Sequence, residues 1–431
     1  MLDPSLDFQI EQLGSCHFTS PMRGVQFADE NERLLYHSSP EDLRPYIAAG
    51  LEPPSMERAG PRQQIFFDRH QLSCGIVSCG GLCPGINNVI RAVVMSLYHH
   101  YGVRRILGFR YGFKGLVKRH DVPPVILSPD AVNHISELGG TILASSRGPQ
   151  DAVEMVDYLQ ELGVGILFTI GGDGTLKGAA TIAAEVKRRG LPLSVIAIPK
   201  TIDNDICFVN KTFGFETAVA AAQNAINAAH SEATGAFNGI GLVKLMGRDS
   251  GFIAAQATLV NGQVNFCLTP EEPFNPHELM QKLEERLTRR GHAVIVVAEG
   301  AGQELMTVTG KRDSSGNLQL GDIGEWLRDT IKSHFTEIKT EITLKYIDPS
   351  YIIRSQPANA HDSAFCLLLG HNAVHAGMSG RTNMVLGSWN NQFTHIPIAL
   401  ATRQRKRIDP KGWFWSSVLA STGQQGDIAE L

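Results

Sequence analysis

One stretch, residues 171–205, limits most sharply what this 431-residue chain can fold into. It opens with Gly171-Gly172-Asp173-Gly174-Thr175 and closes with Pro199-Lys200-Thr201-Ile202-Asp203-Asn204-Asp205. An apolar run precedes each motif, over 164–170 and 193–198. Helical spacing fills 176–189 between them, and Gly190 ends it. Strand, glycine loop, helix, strand and acidic loop make one βαβ unit. A right-handed crossover puts both loops at the carboxyl edge of a parallel sheet, where such sheets bind ligands. A phosphate cradle and a pair of aspartates are therefore predicted to face one crevice.

The chain is too long for one ordinary core, so two domains are expected. The formal net charge of -4 leaves no basic excess to neutralise nucleic-acid phosphates. A local basic pocket for a small anion remains compatible with it. The seven cysteines form no CxxC pair and no even framework, which fits reduced thiols in the cytoplasm. Cys79 and Cys83 flank a glycine loop but lack nearby histidines, so they make a poor zinc site. No apolar run approaches the roughly 20 residues of a membrane helix. The first residues lack the charged and apolar segments of a signal peptide.

Residues 1–70 are polar and weakly periodic, and they read as an extension. Regular α/β structure begins with the apolar run 72–77, followed by Gly80-Gly81-Leu82-Cys83-Pro84-Gly85 and helical spacing over 86–101. Glycines at such a turn let backbone amides approach a phosphate at the helix N-terminus. A strand over 105–109 and a helix over 131–138 come next, then a Gly/Ser-rich turn holding Arg147 and Gly148. After Asp205 the pattern continues with helix 216–229 and strand 239–245, the latter running into Met246-Gly247-Arg248-Asp249. Strand 293–298 runs into Glu299, and 307–319 reads as a polar surface insertion. Strand 341–346 leads to a loop holding Tyr351 and Arg354, and 358–378 is a long helix. The basic run Arg403-Gln404-Arg405-Lys406-Arg407 reads as a solvated face or a contact between subunits.

The chemistry follows from charge. A carboxylate such as Asp173 beside a phosphate cradle repels the phosphates unless a cation intervenes. Mg²⁺ suits that place, since it binds through one or two carboxylates plus water and phosphate oxygens. On the facing loop, Asp203 or Asp205 can accept the proton of an attacking hydroxyl while the other orients it. Arg248, Lys345 and Arg354 suit a phosphate on the acceptor. Glu299 suits sugar hydroxyls.

GGDGT, PKTIDND, GFETA, MGRDSGF, AEGAGQ and YIDPSYIIR, in this order, resemble the 6-phosphofructokinases. The resemblance spans about 72–378 and is nearest the long ATP-dependent, plant-type branch; Arg58-Ala59-Gly60-Pro61-Arg62 also looks like that branch. It implies two facing Rossmann-like three-layer domains with mostly parallel sheets and the active site in the cleft between them. The nucleotide-binding domain would be 71–213 with 353–403, and the fructose 6-phosphate domain 214–352. An extension (1–70) and a tail (404–431) would flank them. Gly81, Arg147, Gly148 and Gly172, Asp173, Gly174 and Thr175 would contact ATP, with Mg²⁺ on Asp173. Asp203 would be the general base for the 1-hydroxyl of fructose 6-phosphate, with Thr201, Ile202 and Asp205 beside it, and Arg147 would stabilise the transferring group. Met246, Gly247, Arg248, Glu299, Lys345, Tyr351, Ile352, Ile353 and Arg354 would bind fructose 6-phosphate. A cytoplasmic, allosteric glycolytic enzyme forming a dimer or tetramer is implied, with no nucleic-acid or membrane partner.

The resemblance also carries departures. Short bacterial members place a neighbouring subunit's arginine where this chain has Gly239, and another where it has Lys345. Arg91 matches one of their effector arginines, while Met95 and the His230-Ser231 region do not match others. The donor signature is mixed. Pyrophosphate-dependent relatives carry aspartate in place of Gly174, whose carboxylate would fill the α-phosphate space, and lysine at the position of Lys200. The open space at Gly174 favours ATP, and pyrophosphate is the alternative. Diacylglycerol, sphingoid-base and NAD kinases share GGDGT but not PKTIDND or MGR. A catalytically silent regulatory subunit is opposed by the intact Asp173, Asp203 and Arg147.

Overall fold

The computed structural model describes residues 6–306, 310 and 319–424. The chain divides into two units. The first holds the described residues up to Thr201, with Ile206–Gly214 and Gln356–Gln404. The second holds Ile202–Asp205, Phe215–Ser355 and the described residues from Arg405 onward.

The first unit is built on a nine-stranded sheet. Its order is Arg33–Leu35, Ser55–Arg58, Gln392–Pro397, Met384–Trp389, Ser194–Pro199, Val164–Gly171, Ser73–Ser78, Arg105–Phe109, Val125–Ile126. The strands from Met384–Trp389 to Arg105–Phe109 are parallel, and the outer pairings are antiparallel. The parallel strands are buried on both faces, which is why they read as continuous apolar runs rather than alternating ones. Helix Asp173–Arg188 packs Leu176, Ala179, Ile182 and Val186 into the core with Leu167, Val195 and Ala197 of the sheet. Helices Ile86–Met95 and Ala360–Met378 pack closely together: a Cβ on Gly370 would lie 2.5 Å from that of Ala92.

The second unit has a four-stranded, all-parallel sheet in the order Phe266–Leu268, His292–Ala298, Gly239–Leu245, Thr343–Ile347. Helices Pro276–Arg290 and Ile323–Glu337 bury Leu279, Leu283, Leu327, Ile331 and Phe335 with Ile240, Leu242, Ile295 and Val297. Helix Phe215–Thr234 packs against Gly239–Leu245, and it needs the glycines there. A Cβ on Gly239 would sit 2.0 Å from the Ala233 carbonyl, and one on Gly241 2.7 Å from that of Ala229.

The extension packs onto the first unit: Arg33–Leu35 and Ser55–Arg58 join its sheet, and Phe8 and Met56 lie in its core. Its strands are too short for a period-two pattern to register. Buried Arg62 donates to Glu57 at 2.8 Å, and Arg381, also buried, donates to the same carboxylate at 2.8 Å. Such buried charges persist only when paired. The described tail from Arg405 onward belongs to the second unit. The helix expected over 131–138 is instead two 3₁₀ turns, Asp130–Val132 and Ile135–Glu137. Pro129 precedes them, and Ser128 Oγ accepts from the Ala131 N–H at 3.2 Å, a local bond that competes with a helix. Helix 86–101 turns π-helical over Ser96–Tyr101, where Tyr101 meets His375 Nδ1 at 2.8 Å. The segment after Asp348 is helical over Ser350–Arg354 rather than an open loop. The insertion expected over 307–319 lies mostly outside the described residues. Among the described residues, no helix is long and apolar enough to cross a membrane.

Candidate active site

In the first unit three adjacent parallel strands end at Ser78, Gly171 and Pro199. Their loops form one cradle. Gly171 lies so close to the next helical turn that a Cβ would come within 2.1 Å of Thr175 Oγ1. The helix then starts at Asp173 with Gly172 as a cap that offers no side-chain acceptor. The Thr175 and Leu176 N–H groups donate to the Gly172 carbonyl at 2.8 and 2.9 Å, and a helix start of this kind offers its earlier N–H groups to an anion. Asp173 pairs with Lys177 one turn on, at 3.0 Å. Gly174 is exposed, and nothing lies within 4 Å of where its Cβ would be.

The neighbouring loops are tied to that start. The Lys200 N–H donates to the Gly171 carbonyl at 3.0 Å. Lys200 itself is buried, and its Nζ donates to the Gly81 carbonyl at 2.6 Å. Thr212 Oγ1 donates to the Thr201 carbonyl at 2.7 Å. Ser145 Oγ donates to the Gly80 carbonyl at 2.6 Å, and the Gly80 N–H donates to Ser146 at 3.0 Å. These bonds bring the exposed Arg147 and its neighbour Gly148 to the Gly80-Gly81 turn. Gly81, Arg147, Gly148, Gly172, Asp173, Gly174, Thr175, Lys200 and Thr201 are thus all carried by loops at one sheet edge. Cys79 and Cys83 are buried beside it, and burial pushes the Cys79 thiol up to about 12. Neither is poised to ligate a metal.

The second unit carries the acidic turn Ile202–Asp205. Asn204 adopts a left-handed conformation, φ 53°, which asparagine tolerates better than most residues. The turn places Asp203 and Asp205 on either side of it. Burial raises the Asp203 pKa well above the usual carboxylate range; the negative charges of Asp205, Glu299 and Asp249 push the same way, and Arg405 opposes them. Glu299 is raised too, by burial, with Arg248 pulling against it. Strands Gly239–Leu245 and His292–Ala298 deliver Arg248 and Glu299 from adjacent loops. The Glu299 N–H donates to Leu245 at 2.9 Å and the Gly300 N–H to Gly247 at 3.0 Å. Only glycine fits at 300, since a Cβ would come within 1.9 Å of the Arg248 carbonyl. Met246 and Gly247 lie in the same loop, and Ile202 is buried beneath the turn.

The remaining expected residues are distributed differently. Lys345 pairs in register with Gly241, four residues before the strand end at Leu245. That is roughly 13 Å from the carboxyl edge at about 3.3 Å per residue. Its Nζ lies 3.9 Å from Glu232, and its side chain is half exposed. Arg354 stacks on the Tyr351 ring at 4.8 Å, and Tyr351 and Ile352 are exposed. Ile353 is fully buried, so its side chain packs within the protein and meets no substrate.

Two groups escape the sequence reading. Lys244, near the end of its strand, pairs with Asp322 at 2.7 Å and Asp348 at 2.9 Å. A lysine inside the apolar run Val243-Lys244-Leu245 was the available signal. The second group lies in the basic run expected to be a solvated face or a contact between subunits: Arg403, Gln404 and Arg407 are exposed, but Arg405 and Lys406 turn inward. Arg405 forms an ion pair with Asp205, and its Nε lies 3.9 Å from Asp249. The Lys406 N–H donates to the Asp205 carbonyl at 2.9 Å, and its Nζ donates to Asn204 Oδ1 at 3.1 Å. Ser250 Oγ holds the Lys406 carbonyl at 2.5 Å. No local pattern links residues this far apart.

The Phosphofructokinase family model matches residues 73–377. The chain is 46% identical to the ATP-dependent 6-phosphofructokinase of Borreliella burgdorferi, with 97% of each chain covered. It is 43% identical to that of Trypanosoma brucei brucei, over 99% of this chain and 89% of the relative. ATP-dependent 6-phosphofructokinase 7 of Arabidopsis thaliana is 48% identical over 85% of this chain and 76% of its own. In fold, the chain resembles a pyrophosphate-dependent phosphofructokinase from Marinobacter aquaeolei, with a TM-score of 0.68 and 19% identity, over 81% of this chain and 91% of that one. The motifs, the fold and these matches agree, and the chain belongs to the phosphofructokinase family.

Proposed function

We propose that this chain is an ATP-dependent 6-phosphofructokinase, transferring the γ-phosphoryl of MgATP to the 1-hydroxyl of D-fructose 6-phosphate to give fructose 1,6-bisphosphate and ADP. The observation that carries the reading is the acidic turn. Asp203 is buried and sits among Asp205, Glu299 and Asp249; its burial first, and then their charges, raise its affinity for a proton. An ordinary aspartate, with a pKa near about 3.9, is a poor base at neutral pH. Asp203 is better matched to take the hydroxyl proton as the oxygen attacks phosphorus.

The chain's own residues divide the work. The amides at Gly172 and Gly174, with Gly81 and Gly148, receive the donor phosphates, and Thr175 lies beside them with its N–H on the Gly172 carbonyl. Arg147 offsets charge on the transferring oxygens. Thr201, Ile202, Met246 and Gly247 frame the sugar, and Glu299 accepts its hydroxyls. Arg248 and Arg354 serve the acceptor phosphate, Tyr351 and Ile352 bind fructose 6-phosphate beside them, and buried Ile353 anchors their turn from within. Asp173 fits Mg²⁺: it is a single carboxylate at an open helix start, and this ion takes few protein ligands and completes its shell with water and phosphate. When bound, the ion neutralises charge on the donor phosphates.

Lys345 lies far along its strand from Arg248 and is half exposed. This supports a homo-oligomer in which it serves a neighbouring subunit's acceptor site. Gly239 can hold no side chain under the helix, so no arginine at that position shares the task. The cysteines of the described residues are free thiols, which fits the cytoplasm.

Pyrophosphate remains the second reading because of Lys200. Its ammonium is engaged with the Gly81 carbonyl, a role open to either donor, whereas the space at Gly174 fits the larger one. Purified protein assayed with fructose 6-phosphate and Mg²⁺ should turn over with ATP and not with pyrophosphate. Turnover with pyrophosphate alone reverses the donor. No turnover with either makes the chain a silent subunit.

A further inference from the structure

We propose that Arg405 and Lys406 are positioning residues for the phosphoryl transfer: they lock the Asp203-Asn204-Asp205 turn, and Arg405 supplies the positive charge that offsets the carboxylates around Asp203. The inference rests on Asp203 being the base.

The clamp holds the turn at three points. Arg405 takes the Asp205 carboxylate, the Lys406 N–H takes the Asp205 carbonyl, and the Lys406 ammonium takes the Asn204 side chain. Asp203 directly precedes the two residues that the clamp fixes. The clamp is itself anchored. Ser250 Oγ donates to the Lys406 carbonyl, the Lys406 ammonium lies 5.2 Å from the centre of the Phe252 ring, and the Ile408 N–H donates to Glu271 at 3.0 Å.

Charge makes the arrangement more than a tether. The groups facing Asp203 are Asp205 on its own turn, Asp249 beside Arg248 on the next loop, Glu299 at a strand end, and Arg405 from the tail. Three of the four are acidic. Arg405 reaches two of these three, Asp205 directly and Asp249 at 3.9 Å. Without its charge, burial and the carboxylates act on Asp203 with less to oppose them, and Asp203 holds its proton to higher pH. A base that is still protonated at the working pH cannot accept the hydroxyl proton.

The test uses full-length protein with MgATP and fructose 6-phosphate. Arg405→Gln, Arg405→Lys and Lys406→Gln are compared for kcat, KM, the pH profile of kcat and melting temperature. Arg405→Gln should lower kcat about 10²-fold, the cost of a small misplacement at a reacting centre. KM for fructose 6-phosphate should change little. Its acid limb should move up by about one pH unit, the usual influence of an adjacent arginine on an aspartate. Lys406→Gln should lower kcat less and leave the acid limb in place. Arg405→Lys keeps the charge but not the two-pronged reach. It should retain the wild-type acid limb and gain an alkaline limb near pH 10 or so, where lysine loses its proton. That limb decides the matter even if Arg405→Gln melts too low to assay. An unmoved acid limb in Arg405→Gln, or an Arg405→Lys profile without the new alkaline limb, overturns the proposal and leaves a packing contact. An Asp203→Ala enzyme with wild-type turnover removes the base assignment itself, a separate outcome.

Discussion

The two units offer opposite materials to the proposed reaction. In the first unit the proposed donor half is mostly backbone: Gly81, Gly172 and Gly174, with buried Lys200 bonded to a carbonyl and one carboxylate, Asp173, paired to Lys177. In the second unit the proposed acceptor half is mostly side chain: Asp203, Asp205, Asp249 and Glu299 with Arg248 and Arg405 among them. A backbone cradle recognises any run of phosphates and depends on space. A crowd of carboxylates tunes a proton and depends on charge. The donor half should therefore fail by steric change and the acceptor half by change of charge.

The largest effect is expected from filling the donor space. Gly174→Asp places a carboxylate at an open helix N-terminus, where it suits the helix dipole and meets no neighbour. The protein should fold, and ATP use should be abolished through occlusion and like-charge repulsion. Normal ATP-dependent turnover in that variant would mean that the loop does not receive the α-phosphate. Next comes the base. Asp203→Ala should cost about 10²–10⁴-fold in kcat, the range for a general base, with a modest change in substrate KM; steady-state kinetics at saturating MgATP measures it.

The smallest effect is on stability, and it has the opposite sign. A carboxylate with a raised native pKa is ionised more readily in the unfolded chain. It therefore costs the fold stability once pH exceeds its unfolded value, near about 3.9, and the loss grows until the native pKa is passed. Asp203→Asn removes that cost. Its melting temperature should exceed wild type by a few degrees at pH 7, at roughly 2–4 °C per kcal/mol for a domain of 150–250 residues, and by nothing near pH 3. An equal or lower value at pH 7 would show that the carboxylates do not crowd one another.

The same contrast explains what could be read from the chain. The donor half is local: Gly171 to Thr175 and Pro199 to Asp205 stand beside the strands that present them, so spacing alone outlines the cradle. The parallel strands were equally legible, because burial on both faces leaves unbroken apolar runs. Short strands such as Ser55–Arg58 carry too few residues to show a period. The segment before Gly139 has an apolar spacing that suggests a helix, but Pro129 and the Ser128 hydroxyl divert it into separate turns. Arg405 was misread for a different reason. A charge run is usually solvated, and nothing in its own neighbourhood names a partner 200 residues away.

That separation has a consequence for biosynthesis. Asp205 and the chemistry it supports emerge early, while the arginine that holds it is made 200 residues later. Contacts of such long sequence span form late, after the loop between them has closed. The first unit waits almost as long, because its sheet takes in Met384–Trp389 and Gln392–Pro397. A nascent chain can therefore secure neither the glycine cradle nor the acidic turn until nearly all of it has been made, and the two are completed by neighbouring segments within a few residues of each other.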